Sequence, residues 1–149
     1  LLQLIHLLVG LPYGTHDPFG RESATRNVSA VTGACLFARR EIYEEVGFMD
    51  KEQFKVAFND VDFCLKILEK GYRVVYNPYI ELIHFESKTR GYEDTPEKKA
   101  RFEQETKNFQ TKWKAFLEKG DPYYNPNFSR EDCNFTIKNS DKTDDKEKT

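Results

Sequence analysis

Hydrophobic positions fall into short blocks whose spacing changes along the chain. Leu1 to Val9 is an apolar run interrupted by Gln3 and His6 and ended by Gly10. It has about half the roughly 20 residues needed to span a bilayer, so a buried strand is expected rather than an anchor. From Leu11 to Arg26 the pattern dissolves, and Pro12, Gly14, Pro18 and Gly20 mark an irregular loop. Asn27 to Ala38 (NVSAVTGACLFA) is dense in β-branched and small apolar residues. It predicts a buried strand in which Gly33 and Ala34 allow a close approach to the backbone. Over Arg39 to Val46 the apolar residues Ile42, Tyr43 and Val46 recur at helical spacing, and Gly47 stops them.

A mixed aromatic and charged connection, Phe48 to Phe58, leads into Asn59-Asp60-Val61-Asp62. Val61, Cys64, Leu65 and Leu68 then form a helical stripe closed by Gly71, with Asn59 as the expected N-cap and Asp62 as its capping-box partner. Tyr72 to Tyr76 is strand-like, Asn77-Pro78 breaks it, and Ile80 to Phe85 (IELIHF) predicts a second short strand. Thr95-Pro96 starts a helix running to Glu118. Phe102, Glu105 or Thr106, Phe109, Trp113 and Phe116 or Leu117 share its inner side, and Gly120 ends it. The proline-broken stretch from Asp121 to Arg130 reads as a strap over the domain. Strands alternating with helices predict an α/β fold.

Composition narrows the classes of function. The 23 Lys and Arg nearly balance the 25 Asp and Glu, so no global field steers the chain onto nucleic acid or an anionic membrane. Cys35, Cys64 and Cys133 are odd in number and contain no CxxC pair, which favours a reducing compartment and hence the cytoplasm. Residues 138–149 are uniformly polar and predict a disordered charged tail behind a single domain at 1–137. The chain starts inside an apolar run without an initiator Met, so a piece of a larger protein is expected. No Walker loop, dinucleotide fingerprint, zinc-spaced set or nucleophile elbow is present.

Three clusters carry candidate chemistry: Gly33-Ala34-Cys35, Asn59-Asp60-Val61-Asp62, and His84-Phe85-Glu86-Ser87 through Arg90-Gly91-Tyr92. Their order and wording, in NVSAVTGACLFARREIYEEVGFMD, FKVAFNDVDFCLKILEKGYRVVYNPYIELIHFES, SKTRGYEDTPEKKARF and DPYYNPNFS, resemble the C-terminal half of the family 2 glycosyltransferase catalytic domain. The bacterial rhamnosyltransferase-like and O-antigen-type branch is the nearest in wording. The likeness implies a truncated GT-A-type domain, with a mixed sheet, packed helices and a long C-terminal helix. The nucleotide-binding half, with its Asp-x-Asp metal motif, would lie upstream.

On that resemblance Asp60 matches the catalytic base of the family's Glu-Asp-x-Asp motif, with Asn59 in place of the usual Glu. An inverting transfer needs such a group, because the acceptor hydroxyl must lose its proton as it attacks the anomeric carbon. Asp62 is expected to cap, since residues two apart on a helix do not face each other. Gly33, Ala34 and Asn59 would lie against the acceptor, and Ser87 and Arg90 would meet the donor diphosphate, Arg90 as a bidentate partner. His84, about two dozen residues beyond the base, would complete the site of a divalent metal, Mg²⁺ or Mn²⁺.

The implied partners are a nucleotide-sugar donor and a glycan or lipid-linked acceptor in bacterial cell-surface polysaccharide synthesis. No nucleic acid and no transmembrane segment are expected, and association with the inner face of the membrane stays open. The isolated chain is expected to be inactive and to hold no tightly bound metal. Two other readings stand beside this one. In one, a glycan- or protein-binding module, Asp60 starts a surface helix and neither it nor His84 does chemistry; in the other, Asp60, Asp62 and His84 serve a metal-dependent hydrolase, although no second His or Cys lies at ligand spacing.

Overall fold

The computed structural model describes residues 20–83, 95–129 and 136–138. Strand β1 (Arg26–Val28) pairs antiparallel with β2 (Val74–Tyr76), Asn27 facing Val75. Between them lie helices α1 (Arg40–Glu45) and α2 (Asn59–Glu69), and after them α3 (Pro96–Lys112) and α4 (Lys114–Lys119). Among the described residues this pair is the whole named sheet, in place of the mixed sheet expected. Leu1 to Val9 lies outside the described residues, as does most of the loop that follows it.

The long strand expected from Asn27 to Ala38 stops at Val28. Polar side chains divert the backbone there: the Ser29 hydroxyl donates to Asp121 Oδ1 at 2.6 Å, and the Thr32 hydroxyl accepts the Ala34 amide at 3.3 Å. Such local bonds compete with the ladder. The chain turns through a 3₁₀ segment at Gly33–Cys35 and leaves Phe37 exposed. The strand expected over Ile80 to Phe85 is also absent where described. Asn77 Oδ1 holds the Tyr79 amide at 3.0 Å in a turn, and residues 80–83 run on exposed and outside the strands.

The helices follow the apolar periods. Gly47 and Gly71, at φ 80° and 81°, end α1 and α2 in the left-handed region that glycine tolerates. At the start of α3 the Thr95 hydroxyl accepts the Lys98 amide at 3.4 Å, with Pro96 in the first turn. The helix expected to run to Glu118 kinks at Trp113 (φ −105°, ψ 22°), although the bonds from Trp113 N to Phe109 O and from Leu117 N to Trp113 O bridge the kink. There the indole turns inward onto a buried carboxylate, Asp62.

Helix α2 sits at the centre because two of its faces are apolar. Phe63, Cys64 and Ile67 pack with Ile42, Val46 and Val74. Leu65 packs instead with Phe54, Phe109 and Trp113, while half-buried Leu68 touches both groups. Asp121 is tied to the domain by the Ser29 hydroxyl, and Phe128 forms an isolated antiparallel bridge with Ile137.

Candidate functional site

The N-terminus of α2 begins in an unusual way. Phe58, not Asn59, is its N-cap: the Phe58 carbonyl accepts the Asp62 amide at 2.8 Å, and Asn59 is the first helical residue. Phe58 holds φ 63° and ψ 1°, a left-handed conformation that costs a bulky residue about 1–2 kcal/mol. Its ring stacks on Phe102 and Phe109 of α3, with centroids 5.8 and 4.9 Å away and 28° between planes in each case. Just before it, the Ala57 amide donates to Glu105 Oε2 at 2.5 Å. Phe58 has no side-chain acceptor for the first free amides of the helix, so another residue must supply one.

Asp60 supplies it. Its Oδ1 accepts the Val61 amide at 2.8 Å, and its Oδ2 accepts the Gly33 amide at 2.7 Å across 27 positions of sequence. The carboxylate is half-buried, whereas Thr32, Gly33 and Ala34 beside it are exposed. A Cβ on Gly33 would lie 3.3 Å from the Asp60 Cβ, tighter than ordinary contact, which gives Gly33 a packing reason beside any ligand. An ionised carboxylate has about four acceptor positions, so two amide bonds leave room for a hydroxyl. Helix-start polarity also suits an anion here.

Asp62 does not cap. It is fully buried, its Oδ1 accepting the Trp113 indole N–H at 2.9 Å and lying 2.8 Å from Lys112 Nζ, with Lys66 Nζ 3.5 Å from Oδ2. Lys112 also reaches Asp50 Oδ2 at 3.3 Å. The Asp50 carboxyl is held below the usual range, first by the Gln53 amide and then by Lys112, against a desolvation that pushes the other way. The expectation failed because the helix starts one residue earlier, at Asn59, which makes Asp62 the fourth helical residue, beyond the capping position, and its carboxylate meets Trp113 and Lys112 instead. Cys64, one turn beyond Asp60, is buried as expected. Burial pushes its thiol up to about 11, with the Asp60 charge adding to the effect and a weak bond to the Val31 carbonyl opposing it.

The structure thus brings Gly33, Asp60 and the first turn of α2 together, with Ala34 and Asn59 adjoining. His84, Ser87 and Arg90 lie outside the described residues. Among the described residues no three His, Cys, Asp or Glu side chains gather as a metal site. The sequence did not single out Phe58, Glu105 or Lys112 for this region. A usable signal existed for Glu105, an acid on the same helical side as Phe102, Phe109 and Trp113.

Comparison with known proteins follows the same stretch of chain. A family model described as glycosyl transferase family group 2 matches residues 18–117. The chain is 45% identical over 119 residues to an uncharacterized protein, y4gI, of Sinorhizobium fredii, a match covering 80% of this chain and 13% of that protein. It is 37% identical over 124 residues to the O-antigen biosynthesis protein RfbC of Myxococcus xanthus, covering 80% of this chain and 9% of that protein. It therefore spans a small part of either relative. No solved structure gives a significant match.

Proposed function

This chain belongs to glycosyl transferase family group 2, and we propose that it forms the acceptor-side, base-carrying half of an inverting glycosyltransferase of GT-A type. The observation that carries the reading is Asp60: a half-buried carboxylate fixed by two backbone amides at a helix start, next to an exposed turn of small residues. The acceptor hydroxyl would rest near Gly33, Ala34 and Asn59. Its oxygen bonds to the anomeric carbon as the bond from that carbon to the nucleoside diphosphate breaks. The electron pair leaves with the diphosphate, and the hydroxyl proton passes to Asp60. Fixed geometry helps here, because a base held in reach needs no further ordering in the transition state.

The donor nucleotide is taken to be held by a segment outside these 149 residues. In support, the described sheet is a short antiparallel pair rather than a parallel nucleotide-binding array. A divalent metal would supply positive charge to the departing diphosphate, with His84 as its proposed ligand on this chain and Ser87 and Arg90 as diphosphate contacts. The acceptor is proposed to be a glycan or lipid-linked sugar, in keeping with the name of the RfbC relative as an O-antigen biosynthesis protein. Among the described residues no helix is long and apolar enough to cross a membrane. The proposed transfer is placed in the cytoplasm.

The test is Asp60→Asn in the complete protein that carries this chain, assayed with UDP-, GDP- and dTDP-sugars. Turnover should fall by about a hundred- to ten-thousandfold while donor KM stays nearly constant. Unchanged turnover would favour the other reading, a glycan- or protein-binding module. That reading draws on the same amide bonds, which could make Asp60 a purely structural tether between α2 and the Gly33 turn.

A further inference from the structure

We infer that Glu105 is a positioning residue for Asp60, and that one face of α3 serves as the support on which the proposed base is aimed. The inference rests on the role proposed for Asp60. Phe102, Glu105, Phe109 and the Lys112-Trp113 pair recur at spacings of three and four residues, so they share one side of α3. Each of them grips the chain immediately before or after Asp60. Glu105 takes the Ala57 amide at 2.5 Å, Phe102 and Phe109 stack on Phe58, and Lys112 and Trp113 meet Asp62. The base is bracketed by contacts from a helix whose N-cap, Thr95, lies thirty-five positions later in sequence.

Within this bracket Glu105 has the most specific part. It is 3% exposed, and a carboxylate at such a place loses its hydration, a cost that a bonding partner must offset. An apolar side chain would serve a mere packing seam better. Its contact across the seam is a backbone amide directly preceding the left-handed Phe58. Phe58 strains toward ordinary backbone angles, and any such relaxation would swing the first turn of α2 and draw Asp60 Oδ2 away from the Gly33 amide. By anchoring Ala57, Glu105 holds that turn in place.

The test reads amide resonances of the full chain and needs no substrate. The Gly33 amide proton, donated to Asp60 at 2.7 Å, should resonate downfield, and Asp60→Asn sets its position when the charged acceptor is gone. Glu105→Leu should move the Gly33 resonance at least halfway to that position, whereas Glu105→Gln, which keeps an acceptor, should restore it close to its original place. The Trp113 indole resonance should stay put in both, reporting that α2 and α3 remain packed. A Gly33 resonance unmoved in Glu105→Leu while the Ala57 resonance shifts would overturn the inference. Should Glu105→Leu fail to fold, hydrogen exchange of the unaltered chain decides. Ala57 and Gly33 should then be protected alike, and Gly33 exchanging about tenfold faster or more overturns the inference. Unchanged turnover in Asp60→Asn would remove the catalytic reading while leaving the comparison of Glu105→Leu with Glu105→Gln as it stands.

Discussion

Asp60 and Asp62 are the same residue type two positions apart, yet their surroundings give them opposite fates. Asp60 keeps an open side and backbone partners, while Asp62 is sealed between Trp113 and Lys112. Cys35 and Cys64 diverge in the same way, the first half-buried and the second enclosed beneath α1. The Cys64 thiol is raised from an ordinary 9.0 to about 11, chiefly by burial. At pH 8, iodoacetamide should therefore label Cys35 in the native chain and Cys64 only after denaturant, as peptide mass mapping can check. The linkage has a definite sign. The unfolded thiol ionises first, so the contribution of Cys64 to stability is complete below pH 9.0 and is lost as pH rises toward about 11. Rapid native labelling of Cys64 at pH 8 would contradict its enclosure.

Between elements, the joint of α2 with α3 and α4 combines apolar contact with two buried carboxylates, Asp62 and Glu105. Leu65, Phe54 and Phe109 supply area, and Asp62 with Trp113 and Lys112 supplies direction. Removing the indole donor should cost the buried carboxylate one of its two partners on Oδ1, leaving Lys112 alone there. Trp113→Phe is expected to lower stability in urea unfolding by about 1–3 kcal/mol. Much of that loss should vanish when Asp62→Asn is already present, because the two residues then no longer share a charge-assisted bond. Equal losses in both backgrounds would mean that Trp113 acts only through its apolar bulk. The kink between α3 and α4 belongs to the same joint, since it is what lets Trp113 reach Asp62 while Phe116 and Leu117 still pack on that side.

At the scale of the molecule, the fold is organised around one helix carrying a candidate base at its start and two cores on its sides. If the donor is held elsewhere, this chain alone, given Mn²⁺ and UDP-, GDP- or dTDP-sugars, should transfer no sugar above background. Measurable transfer would show that the 149 residues hold a donor site of their own. The sequence by itself determined the parts governed by neighbours along the chain. The spacing of Ile42 and Val46 and of Cys64 and Leu68, with stops at Gly47 and Gly71, gave α1 and α2 near their observed bounds, and Thr95-Pro96 gave the start of α3 but not its break at Trp113. The wording around Asp60 gave the family. The shortness of β1, the left-handed Phe58, the inward turn of Asp62 and the grip of Glu105 on Ala57 were decided only by the tertiary structure. Each depends on partners dozens of positions away, such as Asp121 for Ser29 and Trp113 for Asp62, and local propensity carries no record of them.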